Sequence, residues 1–306
     1  MSLESRPQRA GWPGEWLVPD WPAPANVRAV FTTRQGGVSN TPYDNMNLGD
    51  HVGDTSAHVA ANRAVLARAT GVRSVFFKQV HGTHVAVLDT AMADGCEADA
   101  CLSTASQLAC TMMVADCLPV LLCTEDGSVV AAAHAGWRGL AGSRGMASPV
   151  GLHVDVRMDG HVDVHIGVLE SVHAAMQASV HASFRSAGQQ IRALPAMKII
   201  AWLGPCIGPD AFEVGPEVKT AFESVQPEAA QCFSDAGAGK YMADLSGLAR
   251  LRLQALGVTQ IYGNNGSVPW CTTRNPSRFF SHRRDAGVRG NGFGTTGRMA
   301  AIIWRE

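Results

Sequence analysis

The sequence predicts one layered domain of mixed α/β (α+β) class. Three observations predict it. Short apolar runs of strand length alternate irregularly with segments of helical period. The 306 residues are 46% hydrophobic and 17% charged, enough apolar material for a large core. One stretch, Leu108 to Gly139, holds two apolar runs, a turn signal and a reactive pair, Cys117 and His134.

Residues 1–25, rich in Pro and Trp (WPGEW, PDWPAP), read as an extended arm with aromatic anchors, and 26–306 as the domain proper. VRAVFTT, from Val27, is a first strand ended by Arg34-Gln35-Gly36-Gly37. After the polar loop YDNMNLGDHVGD, Asp54 is placed to cap a helix, TSAHVAANRAVLARATG. In that helix Val59, Ala60, Arg63, Ala64 and Ala67 have helical spacing and Gly71 is the stop. SVFFKQVHG then reads as a strand ending at His81, and HVAVLD alternates with period two.

In the central stretch, Leu108–Val114, Val120–Cys123 and Val129–Ala133 are short, apolar and bounded by polar residues, hence buried strands. Glu125-Asp126-Gly127-Ser128 is a hairpin-type turn in which Gly supplies a positive φ. Folding back there brings Cys117 within about one residue pair of His134, where opposed Cβ atoms lie roughly 4.5–5.5 Å apart and both side chains can ligate one metal ion. A buried Cys beside a satisfied His is the competing reading. HAGWRG argues against it, because a plain core strand does not end in two glycines, a Trp and an Arg. His81, at a strand end, is a third candidate, and Asp99 is placed to orient a ligand His; a structural His and a turn carboxylate are the alternatives.

Residues 143–166 alternate Val with polar residues around Met158-Asp159-Gly160 and read as an inserted hairpin. Its expected register opposes Val154 with Val164, His153 with His165 and Asp155 with Asp163, a solvated face or, less simply, a metal-binding one. GVLESVHAAMQASVHASF is a helix and MKIIAWLG a strand leading into Gly204-Pro205-Cys206-Ile207-Gly208-Pro209. PEVKTAFESV and LSGLARLRLQALG are helices, VTQIYG is a short strand, and the chain finishes on RFFSHRRDAG and the apolar strand TTGRMAAIIW.

Lys and Arg number 25 against 26 Asp and Glu, with no basic run, so nucleic acid has no electrostatic claim on the chain. No run reaches 18 apolar residues, and the first residues carry no apolar signal core, so neither membrane insertion nor export is expected. The eight cysteines contain no CxxC motif and are expected to be thiols in a cytoplasmic protein.

FTTRQGGVS, NLGDHVGD, QVHG, ADCLPVLL, HAGWRG, GPCIGP, FFSHRRD and TGRMAAIIW, in that order, resemble the YfiH-like or laccase-domain proteins, once named multicopper polyphenol oxidases. The resemblance runs from about Leu17 to Trp304. It implies a single-domain layered α/β catalytic fold, related to bacterial toxin deamidases with a Cys–His pair, into which the hairpin 143–166 is inserted. It also implies one metal site made by His81, Cys117 and His134, and so supplies the assignment of His81. His282 departs from the pattern, standing where the family more often has Tyr.

Two His and one Cys with a fourth position free is the donor pattern of catalytic zinc; copper(II) is the alternative cofactor, since it competes strongly for N and S ligands. Copper oxidase chemistry on a trinuclear cluster uses His-x-His pairs, and no two of the eleven His are two apart. The activity implied by the resemblance is phosphorolysis of adenosine, inosine and methylthioadenosine to free base and ribose 1-phosphate, with adenosine deamination alongside. Arg34, Asn47, Arg138 and the Arg283–Arg284 pair are the candidates for holding substrate and phosphate, because guanidinium forks bind phosphate bidentately. The usual zinc-deaminase signature is absent. A metal-free Cys117–His134 nucleophile, giving a hydrolase or deamidase, copper-dependent polyphenol oxidation and a non-catalytic metal-binding module are the other readings.

Overall fold

Alternate residues of the strand Leu108–Val114 enter different cores. Leu108, Cys110, Met112 and Val114 join one cluster, Ala109 and Met113 another. That is the period-two signature of a strand buried on both faces. The structure, a computed structural model, describes residues 12–145, 164–186, 197–286 and 294–306. In it this strand lies in a four-stranded mixed sheet, ordered Val27–Phe31, Met299–Arg305, Leu108–Val114, Arg73–Val75. A six-stranded mixed sheet is ordered Gln260–Gly263, Ile199–Leu203, Leu118–Thr124, Val130–Ala135, Ala100–Ser103, Val85–Val87.

The sheets share a core in which Phe31, Met112, Val114 and Ile303 meet Cys101, Leu121, Cys123 and Val130. The far face of the six-stranded sheet, with Leu118, Val120, Leu122 and Ala131, packs on Leu169, Val172, Phe222, Leu248 and Leu253 of helices Val168–Ser186, Pro216–Glu223 and Leu245–Ala255. The far face of the four-stranded sheet is closed by Trp16, Met46, Leu48 and, from helix Ser56–Thr70, Leu66. The chain is thus one mixed α/β domain in layers, with the sheet-to-sheet crossing at 115–117. Among the described residues no helix is long and apolar enough to cross a membrane.

Most of the expected elements are present, with Gly71 (φ 74°) and Gly127 (φ 68°) in the left-handed conformation their turns require. Four details differ. Helix Ser56–Thr70 starts after Thr55, because Asp54 instead accepts hydrogen bonds from Ser39 Oγ and Asn47 Nδ2. Its buried face is Val59, Asn62, Leu66 and Thr70; Asn62 is drawn inside to bond Val38 N, Ser39 Oγ and the carbonyls of Asn45 and Asn47. The strand expected to run to His81 stops at Val75, and residues near His81 turn instead. At the ends of the expected hairpin, Ser143–Gly145 pairs with Val164–Ile166, so His165 opposes Arg144 and Val164 opposes Gly145, not His153 and Val154. The rest of the expected hairpin lies outside the described residues.

Candidate metal and substrate site

Cys117 sits on the crossing between the two sheets. The strand before it ends at Val114 in one sheet and the strand after it begins at Leu118 in the other. Asp116 makes the turn with φ 90°, a conformation unusual for a residue with a Cβ. Its carboxylate is held by Thr272 Oγ1 at 2.5 Å, Ser281 Oγ at 3.0 Å and the backbone N–H of Arg283 at 2.6 Å. Strands Leu118–Thr124 and Val130–Ala135 pair so that Pro119 opposes His134. Cys117 is therefore offset by two residues from the partner of His134, not one, and an even offset keeps a side chain on the same face.

His81 arrives from a loop whose backbone is organised by Asp99. The Asp99 carboxylate accepts from the N–H groups of Val80 (3.1 Å), His81 (2.9 Å) and Gly82 (2.7 Å). It also accepts from His134 Nδ1 at 2.8 Å, while the His134 backbone N–H bonds the Asp99 carbonyl at 2.7 Å. An ionised carboxylate only accepts, so the His134 proton is on Nδ1 and Nε2 is left for a ligand. The glycines of HAGWRG make room for the loop. A Cβ at Gly136 would stand 2.8 Å from His81 Cδ2 and 3.1 Å from Cys117 Sγ, and one at Gly139 would stand 2.7 Å from the Gly82 carbonyl oxygen.

The donor atoms of His81, Cys117 and His134 all lie within 4.8 Å of one another, the only such group of three or more metal donors among the described residues. Cys117 Sγ and His81 Nε2 are 3.7 Å apart, and the two imidazoles cross edge to face at 4.8 Å. Tetrahedral zinc with Zn–S of ≈ 2.3 Å and Zn–N of ≈ 2.0–2.1 Å separates a sulfur and a nitrogen by about 3.6 Å. The Cys117–His81 separation matches such an ion, and Asp99 supplies the carboxylate behind a histidine that metal sites commonly use.

Electrostatics prepares the same donors. Burial pushes the Cys117 thiol up, but His134 and His81 beside it more than reverse this and bring it down to about 6. Burial likewise lowers His134, while the Cys117 thiolate and the Asp99 hydrogen bond raise it to about 9. Asp99 is held below the usual carboxylate range: burial opposes this, and the His134 and backbone donors outweigh it. Without metal, the arrangement is thus a thiolate–imidazolium pair.

The three donors open onto a cavity of about 310 Å³ whose wall includes Gln79, Met113, Trp137, Ile207, Phe212 and the cationic residues Arg138, Arg283 and Arg298, with His51 and His282. Of the expected anion-binding residues, Arg138 stacks its guanidinium 4.4 Å over the Trp137 ring, and Arg283 donates to the carbonyls of Ala211 and Glu213. Arg34, Asn47 and Arg284 are not in the cavity wall. Arg34 is held by the Asp44 and Pro276 carbonyls and the Asp44 carboxylate, over the Phe280 ring. Asn47 is fully buried, bonding Gly49, Asp54 and Arg298 N. Arg284 is paired with Asp285. Arg298, inside TGRMAAIIW, and Asp116, inside ADCLPVLL, are the residues that the sequence reading does not single out.

The family model described as multi-copper polyphenol oxidoreductase laccase matches residues 28–149 and 161–306, leaving 150–160, within the expected hairpin, unmatched. The chain belongs to this family. A Pseudomonas aeruginosa protein named purine nucleoside phosphorylase is 41% identical over 292 residues, covering 95% of this chain and 98% of that one. Escherichia coli YfiH, also named purine nucleoside phosphorylase, is 41% identical over 290 residues, covering 94% and 98%. Among solved structures, a Neisseria meningitidis family member superposes with a TM-score of 0.73 at 39% identity over 95% of this chain and 99% of its own. YlmD from Geobacillus stearothermophilus superposes with a TM-score of 0.72 at 27% identity, over 98% of each chain. The laccase-domain layering and the QVHG, ADC and HAGWRG motifs therefore go together in this chain as the resemblance implied.

Proposed function

We propose that this laccase-domain protein is a zinc-dependent purine nucleoside phosphorylase. It would convert adenosine, inosine and methylthioadenosine to free base and ribose 1-phosphate and also deaminate adenosine. The observation that carries the reading is a single cavity in which three metal donors with one open side share a wall with several cationic side chains. The names of the relatives point the same way.

In phosphorolysis a phosphate oxygen bonds to C1′ of the ribose, the C1′–N9 bond breaks, and its electron pair leaves with the base, which takes up a proton. The chain's own contribution is positioning and charge. Arg138, Arg283 and Arg298 offer guanidinium groups to the phosphate. Phe212 and Trp137 offer ring faces to the purine. His81, Cys117 and His134 would hold zinc, which when bound supplies Lewis acidity toward a substrate oxygen or nitrogen. Copper(II) suits the same donors, but among the described residues there is one three-donor group and no second set for a cluster.

A second reading has its own support: Asp99, His134 and Cys117 lie in file, with the thiol pulled down to about 6. That is the order of groups in a thiol hydrolase or deamidase. Incubation of the purified protein with adenosine, with and without phosphate, together with metal analysis, separates the readings. Phosphate-dependent adenine release is the expected result and inosine formation marks deamination. Neither product, in a metal-loaded protein, rejects the proposal in favour of the thiol reading.

A further inference from the structure

Arg298 differs from the other cations in the cavity wall. Arg138 and Arg283 are exposed, whereas Arg298 is half-buried between the fully buried Gly297 and Met299. Its Nη1 donates to the carbonyls of Thr296 (2.9 Å) and Gly297 (3.2 Å), and no described carboxylate pairs with it. Among the other half-buried or buried arginines, Arg252 has Glu170, Arg63 has Asp50 and Arg284 has Asp285, while Arg250 spends both Nη groups on the carbonyls of Ile261 and Asn264. The nearby acid, Asp116, already accepts from Thr272, Ser281 and Arg283 N. The charges of Cys117 and Asp116 act on it only through space, and no described group bonds the edge carrying Nε and Nη2, which can grip a tetrahedral oxyanion.

The side chain is also held in place from behind. Asn47 Oδ1 accepts from Arg298 N and from Gly49 N, both at 2.9 Å, and Leu48 N donates to the Arg298 carbonyl at 3.0 Å. A Cβ on Gly49 would stand 2.7 Å from Arg298 Cγ, so the glycine of NLGD is what lets the arginine stem lie across this loop.

We propose that Arg298 is the residue that binds the phosphate co-substrate, with Asn47 and Gly49 as the residues that position it. This rests on the phosphorolysis reading. Arg298 anchors the anion inside the cavity, and Arg138 and Arg283 at the surface draw it in.

The test compares metal-loaded wild-type protein with Arg298→Met, Arg298→Lys and Asn47→Ala. Arg298→Met is expected to raise KM for inorganic phosphate by about tenfold or more, the loss of a charge-assisted contact, with KM for the nucleoside and the metal content unchanged. Arg298→Lys recovers part of the loss, and Asn47→Ala shifts KM for phosphate in the same direction by less. Wild-type KM for phosphate in both Arg298 variants overturns the assignment. A second measurement, thermal stabilisation by inorganic phosphate alone, is independent of turnover. If wild-type protein shows no phosphate-dependent base release, the phosphorolysis reading fails by itself. Arg298 is then upheld as an anion site if the stabilisation is lost in Arg298→Met, and overturned if it is equal in both proteins.

Discussion

Asp99 accepts a hydrogen bond from His134 Nδ1 at 2.8 Å and, with the same oxygen, one from the backbone N–H of His81 at 2.9 Å. One carboxylate therefore fixes the tautomer of one candidate ligand and the loop of another. Asp99→Asn keeps the shape but turns an amide donor toward groups that themselves donate. The expected result is metal affinity weakened by about 10–100-fold, the usual effect of losing a carboxylate behind a ligand histidine. Competition with a coloured chelator reads it directly, and wild-type affinity in the variant would refute the role.

Gly136→Ala tests the packing of the donors themselves. The new methyl would meet His81 Cδ2 at 2.8 Å and Cys117 Sγ at 3.1 Å. Gly136 has an ordinary φ of −66°, so the effect is steric and not conformational. Because Cys117 is half-buried at a cavity wall, the ring and thiol can give way outward. Metal binding and turnover should fall by at least about tenfold, while stability falls by about 1–3 kcal/mol. Metal content equal to wild type in a folded variant would contradict the placement.

Much of this was legible in the sequence, and the gaps have physical causes. The run Leu108–Val114 is apolar throughout because both faces are buried, which announces a strand but not which sheet it joins. The switch of sheets at residues 115–117 is made by Asp116, whose partners come from more than 150 residues later, so no local signal marks it. The strands Glu213–Val214, Phe233–Gly237 and Lys240–Ala243 form a small, largely exposed sheet and carry no apolar alternation to reveal them. Arg34 and Arg298 look alike in sequence. Only the fold shows that the first is paired with Asp44 and that the second lines the cavity with no described carboxylate in salt-bridge contact.

Metal removal should separate a catalytic from a structural ion. The hydrophobic clusters of both sheets are complete without the three donors apart from the edge of Cys117, so the fold is expected to survive loss of the ion. One equivalent of metal per chain is expected in the intact protein, and none in Cys117→Ser. With metal removed from both, wild type and Cys117→Ser should differ in stability by less than about 1 kcal/mol, measured by urea unfolding. Unfolding of the wild type on chelation would instead assign the ion a structural role.

Asp116 offers a test of how the crossing between the sheets is held. The residue is 8% exposed, its carboxylate satisfies two hydroxyls and one backbone N–H, and its φ of 90° is in the region that favours glycine. Asp116→Ala removes all three acceptor contacts and keeps the strained backbone, at about 1–3 kcal/mol for each buried group left unmatched, less whatever the hydroxyls regain by rotating. Asp116→Gly loses the same contacts but relieves the backbone, recovering about 1 kcal/mol relative to Ala. Asp116→Asn retains one acceptor oxygen. The expected order of stability is wild type, Asn, Gly, Ala, read from urea midpoints at constant m. Because Thr272, Ser281 and Arg283 hold the turn that presents Cys117, the same order is expected in metal affinity. Ala more stable than Gly would show that the turn is not strained, and equal metal affinity across the series would show that Asp116 does not position the thiol.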